Sequence, residues 1–370
     1  MKKIMHVGQM IGGLDVYIRN TITYAGDGFE FIIVHGIDDE SSPVFYMGNA
    51  VKEYKVTLQR NLSMWKDLKC LLQVIKIIRR EKPDIVHCHS AKGGVIGRIA
   101  GWLTHTTVFY TPHAFSFLCT PSQAKKAIYK LVERFTKFKT FVIACSESEQ
   151  EMARNMVGYD EEHAKVWHNA VPDASKEIGR KANVEGEYVC YIGRPCYQKN
   201  VLFLIDVIKE VRYNGCPIRF VLLGVGYHSP ELQAVKDKIH EFGLEDSIEM
   251  VPWISHSDCQ EYVKGSLFYV TTALYEGLPL AVIEAMAQGK AVVASDVTGN
   301  RDCVVNNLTG FLLPLQVSTF AEHISQLVND DALREGMGVA AREAFVNTFY
   351  IANRIHLLMD LYIEVESNEI

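Results

Sequence analysis

An alternation that runs through the chain twice constrains its fold more than any other feature. Short apolar runs rich in β-branched and aromatic residues are separated by segments with apolar residues at helical spacing. In the first half these runs predict strands at Lys3–Val7, Phe31–His35, Asp84–Cys88, Val108–Thr111, Phe141–Cys145 and Lys165–His168. LKCLLQVIKIIRR (Leu68–Arg80) and AKKAIYKLVERFTKF (Ala124–Phe138) read as helices between them. Strand followed by helix followed by strand is the pattern of a parallel sheet covered on both faces. PDASKEIGRKANVEGE (Pro172–Glu187) interrupts it, being polar and having little to bury. Afterwards strands recur at Tyr188–Ile192, Arg219–Leu223, Ile248–Val251, Leu267–Thr271 and Ala291–Ser295. The expectation is α/β, with two Rossmann-like doubly wound domains at 1–172 and 188–348 and a linker at 173–187. A helical, aromatic tail (349–370) is expected to pack back on the first domain.

Composition narrows the class. A net charge of −6 with 48% hydrophobic residues excludes a disordered chain or a strongly basic nucleic-acid binder. No run approaches the ~18 apolar residues of a membrane-spanning helix. The apolar part of MKKIMHVGQMIGG is too short for a secretory leader, so a cytoplasmic protein is expected. Nine scattered cysteines without a C-x-x-C pair argue for reduced thiols rather than disulfides or zinc.

Open parallel sheets bind ligands outside the carboxyl ends of their strands, and two such domains facing each other would form a central cleft. Three loops of the second half end strands with unusual residues. GRPCYQKN (Gly193–Asn200) places Gly193, Arg194 and Lys199 just before a helix N-terminus. Two cations and a helix dipole suit a diphosphate, although the same residues also fit a solvated loop. LLGVGY (Leu222–Tyr227) brings Gly224 and Gly226, but Ser229 stands where a dinucleotide fingerprint needs its third glycine. It fits phosphate binding and a simple turn equally. YEGLPLAVIEAMA (Tyr275–Ala287) is the most informative, because it sets Glu276 and Glu284 in an apolar run on either side of Pro279. A buried carboxylate needs a partner. Phosphates over the helix start at Gly277–Ala281, flanked by a ribose and a hexose, would give each acid hydroxyls to accept from. An acid-favoured first helical turn remains the alternative for Glu284.

In the first half Gly12 and Gly13 lead from a strand to a helix, and His113 sits in TPHAF after another strand. His87 and His89 flank Cys88 and raise the question of a metal, but no acidic ligands match them, and no metal is expected. The helix Ala124–Phe138 carries Lys125, Lys126, Lys130, Arg134 and Lys137 around Ile128, Leu131, Phe135 and Phe138. It fits a solvated basic face or contact with an anionic membrane.

Taken in order, the glycine pair, TPHAF, SESE (Ser146–Glu149), HNAVP (His168–Pro172), GR-x4-KN, LLGxG and E-x7-E followed by AMAQGKAVVAS resemble the large retaining glycosyltransferase group of GT-B fold, family 4. The likeness runs from about Ile4 to Leu313. It implies a nucleoside-diphosphate-sugar as donor substrate and no separate cofactor. Arg194 and Lys199 would hold the diphosphate, Glu284 the ribose, and Glu276 the donor sugar. The amides of Gly277, Leu278 and Leu280 would approach the phosphates, with Gly193, Gly224 and Gly226 lining the donor site. Gly12 and Gly13 would border the donor phosphates or the acceptor, His113 would reach the transferring sugar, and Trp253 would contact the base. Asp15 and Asp302 stand where glutamate is common in the family.

The function expected from this resemblance is retaining, metal-independent transfer of a hexose-type sugar to a saccharide acceptor, lipid-linked at the inner face of the membrane. The process would be bacterial surface or capsular polysaccharide synthesis, with peripheral membrane contact through Lys125, Lys126, Lys130 and Arg134 and no nucleic acid. A nucleotide-sugar 2-epimerase of the same architecture and a non-catalytic nucleotide-sugar-binding protein are the competing readings.

Overall fold

The computed structural model of the chain describes every residue except 40–41, 60–62, 178, 183, 227–228 and 365–370. It divides into two compact units, Met1–Ala170 with Ile351–Ile370, and Val171–Tyr350.

The first unit is built on seven strands: β1 (Lys2–Val7), β2 (Phe29–Gly36), β3 (Lys52–Val56), β4 (Ile85–His89), β5 (Thr107–Thr111), β6 (Phe141–Ala144) and β7 (Ala164–Val166). All pair in parallel in the order β3-β2-β1-β4-β5-β6-β7. The chain starts in the middle, winds to one edge, then returns past β1 to the other. The resulting reversal between β1 and β4 opens a crevice at the strands' carboxyl ends. Helices α1 (Gly13–Tyr24), α2 (Met64–Glu81), α3 (Ser90–Thr104), α4 (Gln123–Thr136) and α5 (Glu147–Met152) connect the strands. Val74, Ile75 and Ile78 of α2 and Ile96 and Ala100 of α3 bury one face. The edge strand β3 escapes a pattern search because KEYKV has one strongly apolar residue, and an edge strand covered on one side needs no more.

The second unit has six strands: β8 (Tyr188–Ile192), β9 (Arg219–Leu223), β10 (Ile248–Val251), β11 (Tyr269–Thr271), β12 (Val292–Ser295) and β13 (Gly310–Leu313). They are again parallel, in the order β10-β9-β8-β11-β12-β13, so this reversal lies between β8 and β11. Its helices are α6 (Val201–Tyr213), α7 (Leu232–Glu241), α8 (His256–Gly265), α9 (Leu280–Ala287), α10 (Asn300–Cys303), α11 (Val317–Asn329) and α12 (Asp331–Ala344). The last helix, α13 (Ile351–Glu364), belongs to the first unit. There Ile351, Ile355, Leu358 and Met359 share a core with Tyr17, Ile18 and Ile22 of α1.

The boundary differs from the sequence expectation. The stretch that follows Ala170 opens the second unit, Val171–Tyr350, rather than forming a free linker. Asp173 makes a bidentate pair with Arg342 of α12 (2.6 and 2.7 Å), Ala174 is buried, and the Gln288 side chain donates to the Ala174 carbonyl. Arg342 beside it holds the Asp173 carboxyl well below the usual range. A polar sequence thus conceals attachment made through side-chain ion pairs instead of apolar burial.

Candidate functional site

In the second unit the loops after β8 and β11 flank the reversal of the sheet. Gly193 follows β8 directly, and a Cβ there would stand 2.5 Å from the Tyr191 hydroxyl and 3.3 Å from Lys199 Cδ, so only glycine lets these groups close up. Gly224, after β9, lies against Gly193. Gly226 turns back on Ser229, whose hydroxyl accepts from its amide; Tyr227 lies outside the described residues. Arg194 follows Gly193 directly, and Lys199 precedes the start of α6.

The two acids of the E-x7-E stretch are both nearly buried, Glu276 at 7% and Glu284 at 6% exposure. Each has a cation. Lys199 Nζ donates to Glu276 Oε1 (2.7 Å), and Gln198 Nε2 donates to Oε2 (3.0 Å). Gly299, at φ +84°, packs so closely that a Cβ would sit 2.7 Å from the Glu276 Cβ, which fixes the acid's backbone from the other side. Glu284, within α9, accepts from His256 Nε2 at Oε1 (2.9 Å) and from Gln260 Nε2 at Oε2 (3.0 Å). His256 Nδ1 faces Glu177 Oε2 (3.1 Å).

These pairs prepare the site without filling it. A carboxylate offers about four lone pairs and an ammonium three N–H groups. With two donors accounted for on each acid, both keep acceptor capacity for hydroxyls, and Lys199 keeps N–H groups for an anion. Gly277 and Leu278 run from Glu276 into α9, and Pro279 caps the helix that begins at Leu280, which places the positive end of its dipole between the acids. Trp253 is 68% exposed in the loop between β10 and α8.

His256 and Gln260 are absent from the sequence reading. Ser255 caps α8 by accepting from the Asp258 amide, which marks the helix start, but nothing local marks a partner 28 residues away. Burial opposes the charge on His256, yet the two glutamates outweigh it and hold the imidazolium up to about 10. Its stabilising contribution is therefore complete below the ordinary value of 6.5 and lost as pH rises toward 10. The gap in urea midpoint between the parent and a His256→Gln variant is expected to shrink across that window. A gap independent of pH would mean that the imidazolium charge contributes nothing.

The first unit carries a separate group at its own reversal. His6 of β1, His87 and His89 of β4, and His113 after β5 form a row. His6 Nδ1 meets His89 Nε2 (2.9 Å), and His89 Nδ1 meets His113 Nε2 (3.2 Å). His87 faces the Tyr362 hydroxyl (2.6 Å) and Thr111 Oγ1 (2.8 Å). One nitrogen each of His6, His87 and His89 falls within 4.8 Å of the others, but both ring nitrogens of His87 and of His89 already face protein groups. Burial pushes His6 and His113 down to about 3 and His87 and His89 well below the usual range, so the row is neutral. The backbone turns at His113 (φ 52°) and Ala114 (φ 82°), both in the left-handed region, and the Ala114 amide donates to the buried Glu149 carboxylate (2.7 Å). Glu149 belongs to SESE, so that motif supports the His113 turn.

Gly12 caps α1 and Gly13 begins it. Asp15 Oδ2 accepts from Arg19 Nε (2.8 Å), and its Oδ1 is buried with no hydrogen-bond partner among the described residues. Asp302 accepts from the Gly299 amide (3.0 Å) and closes the start of α10.

Comparison with known proteins covers most of the chain. Residues 11–175 match the family described as Glycosyltransferase Family 4, and residues 175–344 match Glycosyl transferases group 1. The chain is 31% identical over 349 residues to the Escherichia coli UDP-Gal:alpha-D-GlcNAc-diphosphoundecaprenol alpha-1,3-galactosyltransferase, covering 89% of this chain and 88% of that one. It is 28% identical to the Staphylococcus aureus capsular polysaccharide biosynthesis glycosyltransferase CapM, covering 82% and 84%. In fold it is similar to sucrose-phosphate synthase from Thermosynechococcus elongatus, with a TM-score of 0.83, 18% identity and 99% and 100% coverage. It is also similar to Anabaena HepE in complex with UDP and glucose, with a TM-score of 0.78, 18% identity and 98% and 100% coverage.

Proposed function

The chain belongs to glycosyltransferase family 4, of GT-B fold, and on that premise we propose that it transfers a hexose-type sugar, with retention, from a nucleoside-diphosphate-sugar to a lipid-linked saccharide acceptor. The process served is assembly of a bacterial surface or capsular polysaccharide, as the name of the S. aureus relative suggests, and the lipid-linked acceptor follows the name of the E. coli one. One observation carries the reading: two buried carboxylates, each paired with a cation yet retaining acceptor capacity, flank a helix N-terminus at the reversal of a parallel sheet.

In this reading Glu284 accepts from the ribose hydroxyls and Glu276 from those of the sugar. Arg194, Lys199 and the amides of Gly277, Leu278 and Leu280 stabilise the diphosphate as it leaves and negative charge gathers on it. Gly193, Gly224 and Gly226 let the backbone approach, and Trp253 meets the base. As the C1–phosphate bond breaks, the acceptor oxygen bonds to C1 on the same face, and a leaving phosphate oxygen takes the acceptor's proton. On the family resemblance His113 would reach the transferring sugar as a hydrogen-bonding group, its imidazole held down to about 3 by burial, and Gly12 and Gly13 would border phosphates or acceptor. Two fixed cations do the work of a metal, and the chain has no Asp-x-Asp pair to hold one. A lipid-linked acceptor sets the reaction at a membrane surface, where Lys125, Lys126, Lys130 and Arg134 would meet headgroups.

A panel of nucleotide sugars, scored by thermal stabilisation and slow hydrolysis with and without EDTA, tests this. One donor at a hundred times its Kd is expected to add about 2.7 kcal/mol of stability, and EDTA is expected to leave its hydrolysis unchanged. Stabilisation by none of them would sink the transferase reading, and strict dependence on a divalent ion would overturn the electrostatic account. Interconversion of the donor sugar without acceptor would favour an epimerase.

A further inference from the structure

Helix α4 is assembled the wrong way round for a helix that only covers a sheet. Its apolar residues Ile128, Leu131, Val132 and Phe135 stand at positions i, i+3, i+4 and i+7, which is one face. That face ordinarily turns to the core. Here all four are exposed, from 39% at Val132 to 72% at Phe135, while Glu133 on the opposite face is buried at 1%. The inversion is enforced, because Glu133 Oε2 is gripped by the fully buried Arg98 of α3 at 2.8 Å and Glu133 Oε1 accepts from the Tyr110 hydroxyl at 3.1 Å.

The surroundings of the outward stripe identify what it meets. Residues 123–139 contain Lys125, Lys126, Lys130, Arg134, Lys137 and Lys139, and their single acid is the buried Glu133. This cationic segment sits in a chain of net charge −6, so its sign is local. Beside it Trp102, at the end of α3, is exposed and stacks on Phe138 with centroids 5.1 Å apart and planes 7° apart; Leu103 is exposed next to it. A recess of about 470 Å3 lies at this edge, lined by Trp102, His105, Val108, Phe138 and Lys139 among others. An apolar stripe flanked by lysine and arginine, with an amphipathic aromatic at its end, matches the interface of an anionic bilayer.

We propose that α4, with Trp102 and Phe138, docks in the plane of an anionic phospholipid membrane, with Ile128, Leu131, Val132 and Phe135 entering the headgroup–acyl boundary and Lys125 and Lys139 holding lipid phosphates. The proposal deepens the reading of a lipid-linked acceptor and rests on it for its purpose. It does not rest on it for its test.

Flotation of the full chain with vesicles of phosphatidylcholine, alone or with an equal share of phosphatidylglycerol, measures it directly. The chain is expected to bind the mixed vesicles, with binding weakened by added salt. Ile128→Ser/Leu131→Ser/Phe135→Ser is expected to weaken that binding by about tenfold or more. Lys125→Glu/Lys139→Glu is expected to abolish the preference for phosphatidylglycerol. All five side chains lie away from the buried core, so both variants should keep the parent's melting temperature and its stabilisation by donor. Absence of binding by the parent, or binding by the serine variant equal to the parent's, overturns the proposal. So does a concentration-dependent dimer that the serine changes dissolve in a chain that ignores vesicles, since a second copy would then cover the stripe. Failed flotation with donor stabilisation intact removes only the docking surface; intact flotation without any donor effect removes only the transferase reading.

Discussion

A Lys199→Ala variant is expected to lose roughly three orders of magnitude in kcat/KM, measured with whichever donor stabilises the parent. One part is direct, since removing a single preorganised donor to developing negative charge typically costs about 10²–10³ in rate. The other part comes from the acid left behind. Lys199 is the cation on Glu276, which is 7% exposed, and without it the carboxylate keeps, among the described residues, only Gln198 as a side-chain donor beside the proposed diphosphate site. An unpaired buried charge is the costly outcome of breaking such a pair. The two parts separate in the Lys199→Ala/Glu276→Gln variant. If repulsion from Glu276 contributes, the double variant recovers nucleotide affinity relative to Lys199→Ala, with a coupling of roughly 0.5–3 kcal/mol. A Lys199→Ala enzyme within about threefold of the parent would place the diphosphate elsewhere.

The largest effect on stability is expected from Glu133→Ala, at about 3–5 kcal/mol, because it strands the guanidinium of Arg98 in the core of the first unit. Arg98 is wholly buried, its charge is balanced by Glu133, and its guanidinium lies 4.1 Å from the Tyr110 ring centroid. Urea denaturation followed on the first unit's transition reads the loss. Arg98→Met/Glu133→Leu is expected to recover much of it, since two apolar residues leave no charge to solvate. A cost under about 1 kcal/mol for Glu133→Ala would show that water reaches Arg98. The same pair sets the orientation of α4, so a stability measurement here also bears on why the helix presents its apolar stripe outward.

Much of the architecture was readable locally. YVCYI, RFVLL and IEMV are strands in the structure at the bounds read from their composition, and LAVIEAMA starts its helix beside Pro279 as the residue types suggested. Such elements are set by neighbours within a few residues, and each repeats the message of the next. KEYKV was not readable, and neither was GFLL at the end of the second sheet, because a short strand at or near a sheet edge has little pattern to show. The polar stretch after Pro172 misled for the opposite reason: ion pairs attach it where apolar residues were sought.

For the candidate site, the residue types and the order of the motifs pointed to the loops after β8 and β11. The question of what completes Glu276 and Glu284 was answerable only in three dimensions. Lys199 meets an acid 77 residues on, and His256 one 28 residues on, through elements the sheet order brings together.

The sequence by itself determined the two doubly wound sheets, the strand-to-helix turns and the family, because periodicity, turn residues and motif order are properties of adjacent positions. Tertiary structure alone decided the partners and the directions: which cation sits on which carboxylate, that the four histidines form a neutral row, and that α4 turns its apolar face outward. Those outcomes depend on long-range contacts and on burial. The same amphipathic pattern in α4 would have served equally to cover the sheet, had Arg98 not held Glu133 inside.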